Sequence, residues 1–324
     1  MKLLAPLLLS CATGLMVSSA NATDAAYPTK PITIIVPWTT GGSPDLLARL
    51  IGEKLSQRLG QSVIIENKPG ASGTIGAAQV ARAAADGYTL MSTPNTFPIS
   101  QLVLPKNVVP FDVQKDFTPV SLPSKAVMVM AAHHSLGVKT LDELVNYAKK
   151  NPGVTYAGSA NGSPQQIAGE MFRRAADINM TFVPYKGVAP AVTDAVGGHV
   201  KVLIAPYGNV EPYAKSGVLH ILGSFEEEEL DAAPGVKPIR DQGYPNVAVP
   251  VWTGFFAPAG TPRPIVEKLN AEIDQIIQLP DVKERLLGNG QTLVGGKPEV
   301  LANRVKQDLE AYAPVVKAAN ITAD

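Results

Sequence analysis

Hydrophobic and polar positions switch between two periods along nearly the whole chain. Short runs of β-branched and other apolar residues at 32–36, 62–66, 89–92, 127–131, 154–157, 181–183, 200–204 and 218–223 predict strands. Between and after them, apolar residues recur three and four apart, which predicts helices over 44–59, 74–85, 141–150, 164–176, 189–196, 264–277 and 298–318. In the first helix Leu46, Leu47, Leu50, Ile51, Leu55 and Leu59 carry that spacing. Strands alternating with helices predict an α/β fold with largely parallel sheets. A chain of 324 residues is long enough for two domains. Prolines sit at turns and first helical positions and read as stiff punctuation, so no flexible linker marks a boundary. Two segments read as crossings: 121–125, where Pro123 interrupts an apolar run, and the extended stretch 247–254 around Pro250. If the chain crosses at both, the middle section forms one domain and the two ends jointly build the other, which creates a hinge and a cleft.

Two strand-to-helix turns have the same chemistry. Gly42-Ser43-Pro44 follows the strand at 32–36, and Gly162-Ser163-Pro164 follows the strand at 154–157. In each, glycine lets the backbone turn, serine is placed to cap, and proline suits the first helical position. Each helix start offers unpaired N–H groups and the positive end of a macrodipole. Facing one another across a cleft, two such ends would hold a carboxylate with backbone and hydroxyl donors and no arginine. Taken singly, each turn also reads as plain chain punctuation.

Composition narrows the field. Lys and Arg total 28, Asp and Glu total 28, and no basic excess marks nucleic acid as a partner. Residues 1–22 read as a signal peptide: Lys2, an apolar stretch over 3–17, then the small-x-small site Ala20-Asn21-Ala22, giving a mature chain from Thr23. The sole cysteine, Cys11, lies in that segment, in a stretch resembling a lipoprotein box that falls very early. Cleavage after Ala22 leaves no disulfide, no thiolate nucleophile and no zinc–thiolate site. The four histidines, His133, His134, His199 and His220, lack metal-ligand spacing, and no Gly-x-Ser-x-Gly elbow occurs. Gly70-Ala71-Ser72-Gly73-Thr74-Ile75-Gly76 enters a helix much as a dinucleotide loop does, but its glycines are spaced Gly-x-x-Gly-x-x-Gly. It reads as a connection near the cleft or the domain surface. Residues 226–229, four glutamates, read as a solvated charge run at a helix end. These features favour a binding protein without metal or cofactor over an enzyme.

Ordered motifs extend this reading. Val36-Pro37-Trp38-Thr39-Thr40-Gly41-Gly42-Ser43-Pro44-Asp45-Leu46-Leu47-Ala48-Arg49 is followed by Glu66-Asn67-Lys68-Pro69-Gly70-Ala71-Ser72-Gly73 and Asp86-Gly87-Tyr88-Thr89-Leu90. Then come Asn161-Gly162-Ser163, Ala168-Gly169-Glu170, Val183-Pro184-Tyr185-Lys186-Gly187 and Phe256-Ala257-Pro258-Ala259-Gly260-Thr261-Pro262. In order and number these resemble the periplasmic substrate-binding proteins of tripartite tricarboxylate transporters, the Bug family, over residues 27–321. The resemblance implies a two-lobed flytrap, each lobe a mixed sheet flanked by helices, with residues 23–123 and 253–324 in a discontinuous first lobe and 124–252 in the second. It implies periplasmic capture of a small carboxylate, aromatic or dicarboxylic among the candidates, and delivery to membrane transporter subunits. The binding loops carried over by motif are Trp38, Thr39, Thr40, Gly41, Gly42 and Ser43 with Asp45, and Ser159, Asn161, Gly162 and Ser163. A third is expected around Asn95, Thr96 and Phe97, and a fourth around Ala205, Pro206 and Tyr207.

Departures from the family pattern bear on the ligand. Thr96-Phe97-Pro98 stands where Thr-His-Ala is common, Gln166 where His is common, Ala205 where Asp is common, and Trp38 where Phe is usual. These changes remove ionisable groups and add ring surface, so either the pocket is suited to an aromatic or longer-chain carboxylate, or Trp38 and Phe97 belong to the lobe core. Asp45 also has two readings: a helix-start carboxylate that stabilises the helix, or a group that orients water or selects a ligand amine. Two other jobs stay open for the whole chain: a sensor that hands its closed form to a histidine-kinase receptor, and a secreted nucleotide- or ester-processing α/β enzyme using the Gly70 loop.

Overall fold

Two mixed sheets organise the chain, and the computed structural model describes residues 27–323. The expected signal peptide, its cleavage after Ala22 and Cys11 lie outside the described residues. The first half of the first sheet is built from β1 (Ile32–Val36), α1 (Ser43–Leu59), β2 (Val63–Asn67), α2 (Thr74–Ala81), β3 (Thr89–Pro94), α3 (Thr96–Val103) and β4 (Phe117–Ala126). The second sheet follows with β5 (Met128–His133), α4 (Leu141–Lys150), β6 (Val154–Gly158), α5 (Pro164–Ala175), β7 (Met180–Pro184), α6 (Val188–Val196), β8 (Val202–Pro206), α7 (Tyr207–Lys215) and β9 (Leu219–Ser224). The chain then returns to the first sheet with β10 (Val251–Pro258), α8 (Arg263–Ile277), α9 (Pro280–Gly288), β11 (Gln291–Leu293) and α10 (Pro298–Ala318).

The strand orders are β11-β4-β10-β3-β1-β2 and β7-β6-β8-β5-β9. Only β1 with β2 and β3, and β6 with β7 and β8, are parallel. β10 runs antiparallel to β3 and β4, β11 to β4, and β5 to β8 and β9, so the expected predominance of parallel pairs gives way to mixed sheets. The chain changes sheet at Val127 and again between Ser224 and Val251. The crossing read at 121–125 and the lobe bound at 123/124 fall inside β4, and the bound at 252/253, within the crossing read at 247–254, falls inside β10.

Periodicity is realised as packing. In β1, Ile32, Ile34 and Val36 pack with Leu47, Ile51 and Leu55 of α1 and with Leu269 and Ile273 of α8, while Ile35 points to the other face with Met91, Phe256 and Leu301. Under the second sheet, Met128, Met130, Tyr156, Phe172, Val202 and Ile204 form one core. That core also takes in Ile99 and Val103 of α3 and Tyr312 and Val316 of α10, so elements flanking the first sheet are packed into the second.

At the return crossing the acidic run departs from expectation. Glu226 is completely buried, whereas its three successors are exposed: Glu227 pairs with Arg304 at 2.8 Å, and the Glu229 carboxylate accepts the Gly235 N–H at 2.6 Å. The cause is local. Phe225 inserts into the second core and its N–H donates to the Met128 carbonyl at 2.9 Å, which draws Glu226 inward with it.

Candidate functional site

A cavity of about 570 Å³ opens where the carboxyl ends of β1 and β6 approach each other, the usual ligand position in α/β sheets. Its wall includes Trp38 and Thr96 from the first sheet's loops and Ser159, Asn161, Gly162 and Ser163 from the second sheet's. Six expected site residues, drawn from three separate loops, are thus brought together.

Asp45 shapes the first loop. It is fully buried, and Oδ2 accepts the Gly41 N–H at 2.9 Å and the Arg49 Nε–H at 3.1 Å. Oδ1 accepts the Asn67 Nδ2–H at 2.9 Å and lies 3.0 Å from Arg49 Nη2. The Asn67 amide also donates to the Trp38 carbonyl at 3.1 Å, so one network folds the turn back onto β2. Gly41, at φ +88°, occupies the left-handed region that the turn requires. Burial works against ionisation of Asp45, but hydrogen bonds from Arg49, Gly41 and Asn67 outweigh it and hold the carboxyl below its ordinary value. Its contacts are all with the loop, its helix and Asn67 of β2, and it does not reach the cavity wall. Thr39, Thr40, Gly41, Gly42 and Ser43 also lie off the wall, and the Ser43 hydroxyl accepts from Gln291 Nε2 at 2.9 Å.

The second loop repeats the device with a neutral group. The Gly162 N–H donates to Gln166 Oε1 at 2.7 Å, four residues on, as Gly41 donates to Asp45. Ser163 caps α5 by accepting the Gln166 N–H at 3.3 Å, and the Ser159 hydroxyl donates to Gln165 Oε1 at 3.0 Å. Each turn therefore uses one glycine amide internally, leaving fewer donors for a ligand than a bare helix start. Gly162 sits at φ +71°, and a Cβ there would lie 2.9 Å from both Val103 Cγ2 and Ala323 Cβ, so glycine lets the loop touch α3 and the chain end.

The third and fourth loops separate. Asn95 is buried and its Nδ2 donates to the Pro250 carbonyl at 3.0 Å, leaving Oδ1 without a partner, as is Thr96 Oγ1. Asn95, Thr96, Ser159 and Pro206 line an inner cavity of about 140 Å³. Phe97 turns away from the cleft into an aromatic cluster, its ring centroid 4.9 Å from Phe117, 5.3 Å from Phe256 and 5.6 Å from Phe111. It therefore adds no ring surface to the pocket. Trp38 does: its ring faces the cavity beside Gly73, and Nε1–H donates to Thr93 Oγ1 at 3.3 Å. Ala205 is core, and the Tyr207 hydroxyl donates to Glu211 Oε1 at 3.2 Å.

The wall also contains residues absent from the expected set: Ser72, Ser100, Tyr185, Lys186 and Ala323. Ser72 lies in the glycine-rich loop after β2, and Tyr185 and Lys186 lie in a motif noted only for its resemblance. Ala323 is brought there by the fold alone. Among the described residues, no group of three or more His, Cys, Asp and Glu side chains could hold a metal ion.

Comparison with known proteins agrees with this geometry. The profile described as "Tripartite tricarboxylate transporter family receptor" matches residues 47–321. Protein BugT of Bordetella pertussis is 33% identical over 302 residues, 92% of this chain and 92% of its own. Among solved structures, an R. palustris protein with adipate superposes with TM-score 0.76 at 31% identity, covering 91% of this chain and 99% of its own. MatC from Rhodopseudomonas palustris with bound malate gives TM-score 0.73 at 32% identity, covering 90% and 100%. On the family match and these full-length likenesses, the chain belongs to the tripartite tricarboxylate transporter receptor family.

Proposed function

We propose that this protein is a periplasmic receptor that takes a small organic carboxylate into the cleft between its two sheets and delivers it to a tripartite tricarboxylate-type membrane transporter. It is exported by the segment ahead of Thr23 and carries out no chemistry on its ligand. The observation that carries this reading is the cavity at the start of α5, with Thr96 at the start of α3 on its other side, lined by hydroxyls and glycine backbone, in a family whose relatives include proteins with adipate and with malate. Helix starts and hydroxyls recognise an anion without burying a protein cation. The two sheets act as the lobes. Residues 23–123 and 253–324 supply most of the first and 124–252 the second, with the hinge at Val127 and in the 225–250 return.

The reading is tested by melting the mature chain, from Thr23 onward, against aliphatic, dicarboxylic, aromatic and amino-acid carboxylates. A ligand at about 100 times its Kd stabilises the native state by roughly 2.7 kcal/mol, which raises Tm by about 5 °C or more in a protein of this size. No shift with any carboxylate, in folded protein freed of carried-over ligand, contradicts it. If the ligand packs on the indole, Trp38→Ala weakens the best aromatic carboxylate about tenfold with the fold intact, roughly the contribution of one aromatic contact plus its buried area. Unchanged affinity by calorimetry rejects stacking.

A further inference from the structure

We propose that Ser72 and Lys186, one from each side of the cleft, form an outer station that binds the far polar end of an elongated ligand and sets its specificity. This rests on the receptor reading above and adds residues to it. Three observations carry it. First, the loop ahead of α2 is strained where it meets the cavity. Gly70 to Gly73 form a tight turn closed by the Gly73 N–H on the Gly70 carbonyl at 3.0 Å, and its two central residues are Ala71 at φ 45° and Ser72 at φ 53°. A turn of this hand is most easily made with glycine or asparagine at its centre. Strain of this kind persists only where surrounding packing over-determines it, and it concentrates at functional sites. Here the packing is tight: a Cβ on Gly73 would meet Trp38 Cζ2 at 3.1 Å, and one on Gly76 would meet the Lys68 carbonyl oxygen at 2.9 Å. The Thr74 hydroxyl donates to the Ala71 carbonyl at 2.8 Å and closes the turn from below.

Second, the turn presents Ser72 to the cavity, and the hydroxyl is exposed and makes no hydrogen bond to the described residues. Of the two residues in the disfavoured conformation, Ser72 is thus the one that lines the cleft. Third, Lys186 lines the same cavity from the loop after β7, and it is the only charged side chain among the described lining residues. Its neighbour Tyr185 is fixed by donating its hydroxyl to Asp194 Oδ2 at 2.8 Å, and the Tyr185 N–H donates to the Gly158 carbonyl at 3.0 Å, which holds the loop beside the second helix start. The start of α5 and the hydroxyls at 159–163 suit one carboxylate. A cation and a hydroxyl in the wall of the same cavity suit a second anionic end, and the Trp38 ring in that wall offers apolar surface to the aliphatic span.

The test is calorimetric titration of adipate and hexanoate, a matched diacid and monoacid, into the mature wild-type chain and into Ser72→Ala, Ser72→Gly and Lys186→Gln. The expected result is that wild type binds adipate more tightly than hexanoate, and that Ser72→Ala and Lys186→Gln each weaken adipate about tenfold while leaving hexanoate within twofold, in line with loss of one charge-assisted hydrogen bond. Ser72→Gly should weaken adipate as Ser72→Ala does yet raise Tm by about 2 °C by relieving the turn, a combination that a purely structural serine would not give. Adipate affinity unchanged in both alanine and glutamine variants, or adipate and hexanoate weakened equally, overturns the station and leaves the receptor reading standing. Wild-type protein that binds neither acid nor any other carboxylate removes the receptor reading, and the station with it.

Discussion

Asp45→Ala is expected to lower the melting temperature by about 8 °C. The carboxylate is fully buried and accepts from the Gly41 amide, the Asn67 side chain and Arg49. Truncation removes the charge-assisted hydrogen bonds that the first two donors make, each contributing roughly 1.5–3 kcal/mol and here at the low end because both donors reach solvent. Arg49 is half-exposed and regains water, so its share is small. A total near 3 kcal/mol corresponds to about 8 °C at 2–4 °C per kcal/mol. Asp45→Asn keeps an acceptor for Gly41 and should lose roughly half as much. The pH dependence has a definite sign. The folded carboxyl titrates below its unfolded value, so its stabilisation is fully present above about pH 4 and is lost as pH falls through the folded value. Scanning calorimetry between pH 3 and 7 should show the gap between wild type and Asp45→Ala narrowing in acid. A variant as stable as wild type at pH 7 would remove the loop-shaping role and return Asp45 to the ligand.

The second large effect runs the other way with pH. Glu226 is completely buried with no hydrogen-bond partner on either carboxylate oxygen, and burial pushes its pKa up to about 8, against the charges of Lys125 and Arg304, which pull it down. A carboxyl that binds its proton more tightly in the folded state contributes stability that is present below the unfolded value, near 4.5, and is lost as pH rises towards 8. Wild-type Tm should therefore fall across this window. Glu226→Gln, which imitates the neutral acid, should match wild type near pH 4 and exceed it by about 10 °C at pH 9. Equal slopes for the two proteins would show that Glu226 is ionised or solvated in the native state. The position gives the prediction functional weight, because Glu226 sits where the chain returns between sheets, in the segment proposed above as part of the hinge.

Most of the fold was legible where side-chain pattern and backbone chemistry agree. The predicted bounds of α4 and α10 coincide with those observed, because each carries an uninterrupted apolar stripe and, for α4, Thr140 and Glu143 form a reciprocal capping box. The losses were at prolines. β4 contains Pro119 and Pro123 and reads as a non-strand, yet its register against β10 shifts between Ser124 and Ser121 and again by Pro119, and these bulges accommodate the missing donors. α3 carries Pro98 in its first turn and α7 carries Gly208 and Pro212, so neither shows a clean helical signal.

The site was legible in its loops and not in its depth. Glycine, serine and proline at both helix starts announced the turns, but the use of one amide in each by Asp45 and Gln166 depends on side-chain geometry four residues away. Phe97 carried no sign of which way it pointed, and its fate was decided by Phe111, Phe117 and Phe256, distant in sequence. Ser72 sat in a loop read as connection, and Ala323 reaches the wall only because its N–H donates to the Val103 carbonyl at 3.1 Å. Glu226 looked like the first of four solvated acids, and only the burial of Phe225 beside it sets it apart.

The most direct test of the receptor reading is calorimetric titration of the mature chain with its best carboxylate and with the methyl ester of the same compound. The account predicts micromolar or tighter binding of the acid, about −8 kcal/mol or more favourable, and loss of most of that affinity in the ester, because the helix starts and hydroxyls recognise the anion. Equal binding of acid and ester, or no binding of any carboxylate by folded protein, would contradict it.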